Sequence, residues 1–250
     1  MATTNNSVLR QLMNHRSIRR FKERSLTEDQ VDQLVAAAQH ASTSTFSQQY
    51  SIISVTDPAI LHELGQITLH PWLEKSGHYF VMVADQFRNL QIAKRAGVDP
   101  FTLHTTDKFL AAVFDTAIAT ENIMVAAESM DLGGTIMGSI LNDTKRVIEL
   151  LQLPELTFPL LGIAIGYPAD EPDLKPRMAA NLMHFQNRYR PDQGDDLKAY
   201  DKLIASYYQK RGSNRRTETF SSHILSELGR SHQVRADLFD NIKDQGFLLN

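Results

Sequence analysis

Stretches of consecutive apolar residues predict the strands of a sheet. They are YSIISVTD (50–57), HYFVMVAD (78–85) and TFPLLGIAIGYP (157–168). The second and third are apolar almost throughout, which is typical of strands buried on both faces. The first ends at an Asp-Pro step, which terminates strands. A further short strand is predicted after the glycine pair in DLGGTIMGSI (131–140).

Apolar residues spaced three and four apart predict the helices. Residues 27–41 (TEDQVDQLVAAAQHA) start with Thr27 as an N-cap and carry one apolar stripe. The longest helix is predicted from about Asp107 to Met130. Its apolar stripe comprises Leu110, Val113, Phe114, Ala117, Ile118, Met124 and Val125. Its many alanines permit close packing, so we expect it at the centre of the molecule or at a subunit interface.

The remaining elements define the fold class. One helix is expected to end near Asn14, and others are expected near 142–151, 193–210 and 216–229. Two prolines keep 171–177 extended or turning, because they forbid a helix there. Few strands, several helices and no regular βαβ alternation indicate an α+β fold. The sequence becomes more polar after about residue 190. We therefore expect a core at 1–190 and a helical extension at 191–250 that clasps a larger body.

Composition narrows the function. The 250-residue chain is 42% hydrophobic and 22% charged, with a net charge of −3, so it has no overall attraction to nucleic acid or anionic membrane. It has no cysteine, which excludes disulfides, thiolate nucleophiles and Cys-ligated metals. Redox chemistry would therefore need a bound cofactor. No uninterrupted apolar run reaches roughly 18 residues, and the first ten residues lack a signal-peptide core, so a cytoplasmic protein is expected.

Three basic segments are candidate anion sites. HRSIRRF (15–21) combines three arginines, a histidine and a serine; it fits a phosphate, a solvated helix end or a nucleic-acid contact. Lys175-Pro176-Arg177 holds two cations in an extended segment, or forms an ordinary surface loop. RGSNRR (211–216) places three arginines around a turn suited to a phosphate monoester, or is a flexible charged loop.

Other chemistries have no supporting motif. His62, His70 and His78 lack the spacing of metal ligands. The hydrolase motif G-x-S-x-G is absent. The glycines of GGTIMGS match neither nucleotide-binding motif, although Gly138 would let a strand edge approach a flat ligand.

Taken in order, the segments HRSIRRF, STSTFSQQY, DTAIATENIMVAAESMDLGGTIMGSI, GYPADEPDLKPR and RGSNRR resemble the nitroreductase family of FMN-dependent oxidoreductases. Within the family, they resemble the larger branch of NADPH-dependent flavin reductases and oxygen-insensitive type-A nitroreductases. The resemblance covers residues 10 to 220. It implies an α+β fold with a central, mainly antiparallel sheet flanked by helices. It also implies an intertwined homodimer whose C-terminal extension embraces the partner subunit.

The resemblance implies FMN sites at the subunit interface. The FMN-binding residues it indicates are His15, Arg16, Ser17, Arg19, Thr43, Ser44, Ile136, Met137, Gly138, Ser139, Lys175 and Arg177. Thr43 and Ser44 correspond to contacts made from the other subunit, and Arg177 joins Arg19 at the phosphate. Arg211, Arg215 and Arg216 correspond to a site for the 2′-phosphate of NADPH. Asp107 aligns with an auxiliary carboxylate near the flavin.

The implied activity is ping-pong hydride transfer from NADPH, or NADH, through FMN to flavins, nitroaromatics or quinones. No metal, nucleic acid or membrane is expected to take part. The sequence departs from the family pattern in three places. Ser139 replaces a glycine, Pro71 replaces a glutamine, and the segment RGSNRR is one residue shorter than the family's form. The alternative functions are a non-enzymatic flavin-binding sensor and a basic nucleic-acid-binding module.

Overall fold

A computed structural model describes residues 6–212, 215–229 and 235–249. The described residues form two compact units. The first contains those up to Glu171 together with those from 235 onward, and the second contains those between. The expected division between a core and an extension at residue 190 remains a prediction.

The first unit contains an antiparallel sheet. Its strands are β1 (Tyr50–Val55), β2 (His78–Asp85), β3 (Gly133–Met137) and β4 (Thr157–Gly166). They pair in the order β1-β2-β4-β3. Each corresponds to a predicted strand, and the α+β class with an antiparallel sheet is confirmed. The two most apolar runs, β2 and β4, are the central strands, as burial on both faces requires.

Helices pack on both faces of this sheet or belong to the second unit. They are α1 (Ser7–Met13), α2 (Glu28–Gln39), α3 (Pro58–Thr68), α4 (Phe87–Ala96), α5 (Thr106–Ser129), α6 (Thr144–Leu150), α7 (Ala180–Met183), α8 (Gly194–Lys210), α9 (Phe220–Leu228) and α10 (Leu238–Asp244). The second unit contains α7, α8 and α9. The N-cap expected at Thr27 is confirmed: its side chain accepts from the Gln30 N–H, and the Gln30 side chain accepts from the Thr27 N–H.

The alternating side chains of β2 connect two cores. Phe80 and Met82 pack with α2 and α5 on one face of the sheet. Tyr79 and Val81 pack on the other face with residues of α3 and α6. The sheet is therefore the middle layer of the first unit.

The long helix α5 buries a different face from the predicted stripe. The side chains against the sheet include Ala112, Ala119, Ile123 and Ala127, together with Asp115. The predicted stripe is instead largely exposed: Leu110 is 44%, Phe114 58% and Ile118 43% accessible. The expectation of a central helix is confirmed. The exposed part of the stripe, at 110, 114 and 118, faces away from its own sheet, whereas Met124 is buried in the core with β2 and β4.

By length and composition alone, α5 could cross a membrane. The expectation concerned uninterrupted apolar runs, whereas this criterion averages hydropathy and tolerates a few polar residues within the helix. Half of its apolar window is buried inside the first unit. A core helix of a globular protein meets the same criterion.

Gly162 leaves space for a tyrosine in the centre of the sheet. A Cβ added at Gly162 would overlap the Tyr79 hydroxyl. That hydroxyl is buried without a hydrogen-bond partner among the described residues, and burial raises the pKa of Tyr79. Gly162 is therefore a packing requirement of β4.

We expect Gly162→Ala to destabilise the protein by about 1–3 kcal/mol, because the ring must move within a close-packed core. Urea unfolding measures the effect. Gly65→Ala is the matched control, since the nearest atom to an added Cβ there is 3.7 Å away. Adding Tyr79→Phe to the Gly162→Ala variant should recover part of the lost stability. An unchanged unfolding midpoint in Gly162→Ala alone would contradict this packing.

Candidate functional site

The arginine-rich segment after α1 continues the edge of the sheet. The Ile18 N–H donates to the Gly134 carbonyl of β3 at 2.8 Å, and the Lys22 N–H donates to the Tyr167 carbonyl at 2.9 Å. Ile18 and Phe21 are buried, whereas Arg19 and Arg20 are exposed. The two apolar side chains therefore anchor the segment and leave its cations outside.

A glycine of β3 permits this close approach. A Cβ added at Gly133 would overlap the Ile18 side chain. The glycine pair predicted as a strand start thus has a packing role, and it positions residues 15–17 beside β3.

Arg16 is only partly neutralised. Its Nη2 lies 3.6 Å from the Glu171 carboxylate, which is largely exposed, and its Nη1 donates to the Asn14 carbonyl at 3.4 Å. Its Nε is buried with no hydrogen-bond partner among the described residues. A buried donor without a partner is costly, so Nε is available for a ligand acceptor. His15, by contrast, is engaged by Glu128 at 2.6 Å.

Arg19 contributes to a cationic cavity of about 330 Å³. Arg20 and Lys75 also line it, together with Phe21 and Trp72. The acids near Arg20 and Lys75, Asp170 and Glu23, are each 3.9 Å away in exposed pairs, which contribute little. The cavity therefore combines three cations with aromatic walls, as a phosphate-bearing ring compound requires.

The turn that follows α3 supplies two walls of this cavity. Pro71, where the resemblance expects glutamine, begins a 3₁₀ turn at Pro71–Lys75. The turn brings Trp72 to a ring-centroid distance of 6.1 Å from Phe21. Proline is suited to the first position of such a turn.

The outer edge of β3 is accessible to a ligand. Ile136 is 37% exposed, and a Cβ added at Gly138 would meet no atom within 4 Å. The Ser139 hydroxyl is buried without a hydrogen-bond partner among the described residues. The open space at Gly138 leaves room for a flat ligand against this edge. Met137 is buried, so it can offer only its backbone.

Thr43 and Ser44 lie near the opposite edge of the sheet. They precede β1, and both bond to Asp115 of α5. Three strand spacings of roughly 4.8 Å separate β1 from β3. One ligand at the β3 edge would thus be distant from Thr43 of the same chain, which agrees with the expectation that these hydroxyls serve the partner subunit.

Asp107 is exposed in the first turn of α5. A carboxylate there interacts favourably with the helix dipole. The backbone carbonyl of the next residue, Lys108, accepts a hydrogen bond from the Gln86 side-chain amide at 3.1 Å, and that amide also donates to the Gln49 side chain of the Thr43 segment. Asp107 therefore lies on the side of Thr43 and Ser44.

The second unit contains its own cationic cavity, of about 320 Å³. Lys175, Arg177 and Tyr200 line it. Residues 171–177 form no helix or strand, as their two prolines predicted, and the Tyr200 hydroxyl donates to the Pro176 carbonyl at 3.2 Å. Burial raises the pKa of Tyr200, the nearby Arg177 opposes that rise, and Tyr208 adds to it.

Cationic side chains from three parts of the second unit lie near the ring of Tyr208. Arg216, Lys175 and Arg211 lie 4.2, 5.7 and 5.9 Å from its ring centroid. These are cation–π distances, and the ring is buried. The structure thus brings a predicted flavin contact, Lys175, together with two arginines predicted for NADPH.

The arginines of RGSNRR differ in availability. Arg216 donates to the Tyr208 hydroxyl at 2.6 Å and pairs with Glu218 at 2.6 Å. The Nε of Arg215 donates to the Arg211 carbonyl at 2.9 Å. The Nε of Arg211 is buried without a partner among the described residues. Arg211 is therefore the best placed of the three for an anion. Residues 213 and 214 of this motif lie outside the described residues.

Sequence reasoning missed Lys75, Tyr208 and Asp115. Lys75 and Tyr208 stand in ordinary-looking segments, and only their packing places them at the two cavities. Asp115 carried a detectable signal: a carboxylate within an apolar helical pattern must find a partner.

The histidines are not arranged for a metal. Within the described part of the chain, no group of three or more His, Cys, Asp or Glu residues could hold an ion. His62 pairs with Glu74 at 2.9 Å, and burial lowers the pKa of His78.

In the first unit, a cationic cavity and a glycine-opened sheet edge are features of an α+β protein suited to a phosphate-bearing planar ligand. Residues 12–167 match the nitroreductase family, and residues 175–250 match the nitroreductase family C-terminal domain. The chain therefore belongs to the nitroreductase family.

Relatives match over nearly the whole chain. The FMN reductase (NADPH) of Bacillus subtilis is 39% identical, with 98% of this chain and 100% of the relative covered. The NfrA1 nitroreductase structure from B. subtilis has a TM-score of 0.92 and 38% identity, with coverages of 98% and 100%. The NADPH:FMN oxidoreductase of Vibrio harveyi, complexed with NAD⁺, has a TM-score of 0.87 and 30% identity, with the same coverages.

Proposed function

We propose that this protein is an FMN-dependent NAD(P)H oxidoreductase that reduces flavins, nitroaromatics or quinones. The observation that carries the proposal is its full-length similarity to the FMN reductase (NADPH) of B. subtilis. The unpartnered Arg16 Nε and Ser139 hydroxyl support it, because both occur at residues predicted to bind FMN. A chain without cysteine also needs a bound cofactor for redox chemistry.

The residues proposed to hold the flavin are those that the resemblance indicates. Arg16, Ser17 and Arg19 bind the phosphate and ribityl end, with Arg177 as a further phosphate ligand. The backbone of Ile136–Ser139 faces the ring, and Lys175 supplies positive charge at its pyrimidine side. When bound, FMN would supply the ring that accepts hydride from the nicotinamide and passes it to the acceptor. The protein places the reactants and excludes competing water.

We also propose a homodimer, with Thr43 and Ser44 of each subunit completing the flavin site of the other. The location of these two residues near the sheet edge opposite β3 supports this arrangement. The exposed apolar stripe of α5 supplies a surface for the partner. The residues from 191 onward are proposed to embrace that partner. We propose the cytoplasm as the location, because NADPH is a coenzyme of the cell interior.

An absorbance spectrum of the purified protein, followed by addition of NADPH and then NADH, tests the proposal. We expect flavin absorbance that NADPH bleaches and a nitroaromatic or quinone restores. Steady-state NADPH oxidation with these acceptors separates an enzyme from a flavin-binding sensor. A colourless protein that takes up no FMN, yet binds RNA or DNA with steep salt dependence, would favour the nucleic-acid alternative.

Arg211→Ala is expected to raise the KM for NADPH about tenfold, and that for NADH by no more than about twofold. The reason is that only NADPH carries the 2′-phosphate proposed to meet this guanidinium. Steady-state kinetics with each coenzyme measures the effect. Arg188→Ala is the control, because Arg188 is an exposed arginine of the same unit. Equal changes for both coenzymes would remove Arg211 from this role.

A further inference from the structure

The segment between α2 and β1 has a strained conformation. Thr45, Phe46 and Gln48 have positive φ angles of 52°, 57° and 47°. None is glycine, and such a backbone costs of order 1–3 kcal/mol per residue unless its surroundings enforce it. Residues 43–49, here called the strained loop, therefore need a specific support.

Asp115 provides that support from α5. Its side chain is 1% accessible. One carboxylate oxygen accepts from the Thr43 hydroxyl at 2.5 Å and the Gln49 N–H at 3.1 Å, and the other accepts from the Ser44 N–H at 2.8 Å. The Gln49 side-chain amide approaches at 3.4 Å. Each of these donors belongs to the strained loop.

The loop is held from its other side by Arg88. This guanidinium donates to the Gln48 carbonyl at 3.0 Å, the Tyr50 carbonyl at 3.4 Å and the Ser51 hydroxyl at 3.0 Å. The buried carboxylate of Asp115 thus satisfies N–H groups of the loop, and the exposed guanidinium of Arg88 binds the loop's Gln48 carbonyl and the start of β1. Buried hydrogen bonds such as those of Asp115 help to specify one conformation.

These hydrogen bonds determine which of the two hydroxyl groups, that of Thr43 or that of Ser44, remains available to a ligand. The Thr43 hydroxyl donates to Asp115 and accepts from the Gln48 N–H at 2.9 Å, so its proton is committed inside the loop. Ser44 gives its N–H to Asp115, and its side chain is exposed. Of the two hydroxyls, that of Ser44 can donate outward.

We infer that Asp115 is a positioning residue of the flavin site: it fixes the strained loop so that Ser44, rather than Thr43, offers its hydroxyl to the flavin of the partner subunit. The inference rests on the proposed function. It assigns Asp115 no contact with the flavin and no proton transfer. Its effect on FMN passes through the geometry of the loop.

The experiment measures FMN dissociation constants by fluorescence quenching, on full-length dimers checked by sedimentation and circular dichroism. Asp115→Asn retains shape but sets an amide N–H₂ against the donors of the loop. We expect it to raise the dissociation constant about tenfold or more. Ser44→Ala should weaken FMN binding in the wild-type background. In the Asp115→Asn background it should weaken binding little further, because a displaced loop no longer presents that hydroxyl.

Thr43 variants extend the test should Asp115→Asn fold poorly. Thr43→Ser keeps the hydroxyl and should bind FMN as the wild type does, whereas Thr43→Val loses the link to Asp115 and should bind more weakly. The effects of Thr43→Val and Ser44→Ala should be less than additive. Thr116→Val is the matched control, since its buried hydroxyl bonds only to the Ala112 carbonyl within α5.

The outcomes are distinguishable. A wild-type protein that fails to bind FMN refutes the proposed function itself. A wild-type protein that binds FMN, with folded Asp115→Asn or Thr43→Val dimers binding it equally well, overturns the role of Asp115. Fully additive losses for Ser44→Ala with either of those variants also overturn it, because the side chains would then act independently.

Discussion

The double variant Arg19→Ala/Arg177→Ala is expected to purify without flavin and to show no NADPH oxidation above background. Arg19 lines the three-cation cavity of the first unit, and Arg177 lines the cavity of the second. A hydrogen bond to a charged partner contributes roughly 1.5–3 kcal/mol, so losing two should raise the FMN dissociation constant roughly a hundredfold to ten-thousandfold. Flavin absorbance per protein, and titration of the apoprotein with FMN, measure the loss.

The matched control for this variant is Arg95→Ala/Arg188→Ala. It removes one exposed arginine from each unit, so it changes the net charge equally while sparing both cavities. Full flavin occupancy in Arg19→Ala/Arg177→Ala would show that the phosphate is held elsewhere. An equal loss in the control would assign the effect to net charge alone.

Phe114→Glu is expected to convert the proposed dimer into monomers and to release FMN. Leu110, Phe114 and Ile118 recur every four residues on α5 and are exposed in the isolated chain. Because a two-fold dimer repeats each contact, the substitution would bury two unpaired carboxylates, each costing several kcal/mol. Sedimentation should show the wild type near twice 28.2 kDa and the variant near 28.2 kDa.

Val98→Glu serves as the control for this experiment. Val98 is also an exposed apolar residue of the first unit, at 60% accessibility, and it follows α4 rather than lying on α5. It should remain dimeric and yellow. A Phe114→Glu protein that stays dimeric would place the interface on another face, and a monomer that keeps its flavin would place the whole site within one subunit.

The regular elements were predictable because their signals are local. Strands β2 and β4 follow from uninterrupted apolar runs, and α2 follows from its capping box and stripe. The limits of α5 were also predicted to within one residue, Thr106–Ser129 against Asp107–Met130. The face of α5 that packs on the sheet was not predicted. A period of 3.6 residues identifies an apolar stripe, but it does not say whether that stripe packs on the same chain or on another.

The site was predictable only in part. Clustered arginines and the resemblance indicated which residues to consider, but sequence spacing gives no spatial neighbours. The hydrogen bond between Ile18 and Gly134 joins segments more than a hundred residues apart. The hydrogen bond between Thr43 and Asp115 likewise depends on how separate segments pack.

The sequence by itself determined the α+β class, the family and the need for a bound redox cofactor, and it predicted which residues bind the phosphate of that cofactor. These follow from side-chain chemistry and local periodicity, which every chain carries before it folds. Only the tertiary structure decided which donors remain unsatisfied and which are already engaged. It did so because a hydrogen bond or ion pair requires two groups within about 3 Å, and only folding brings distant groups that close.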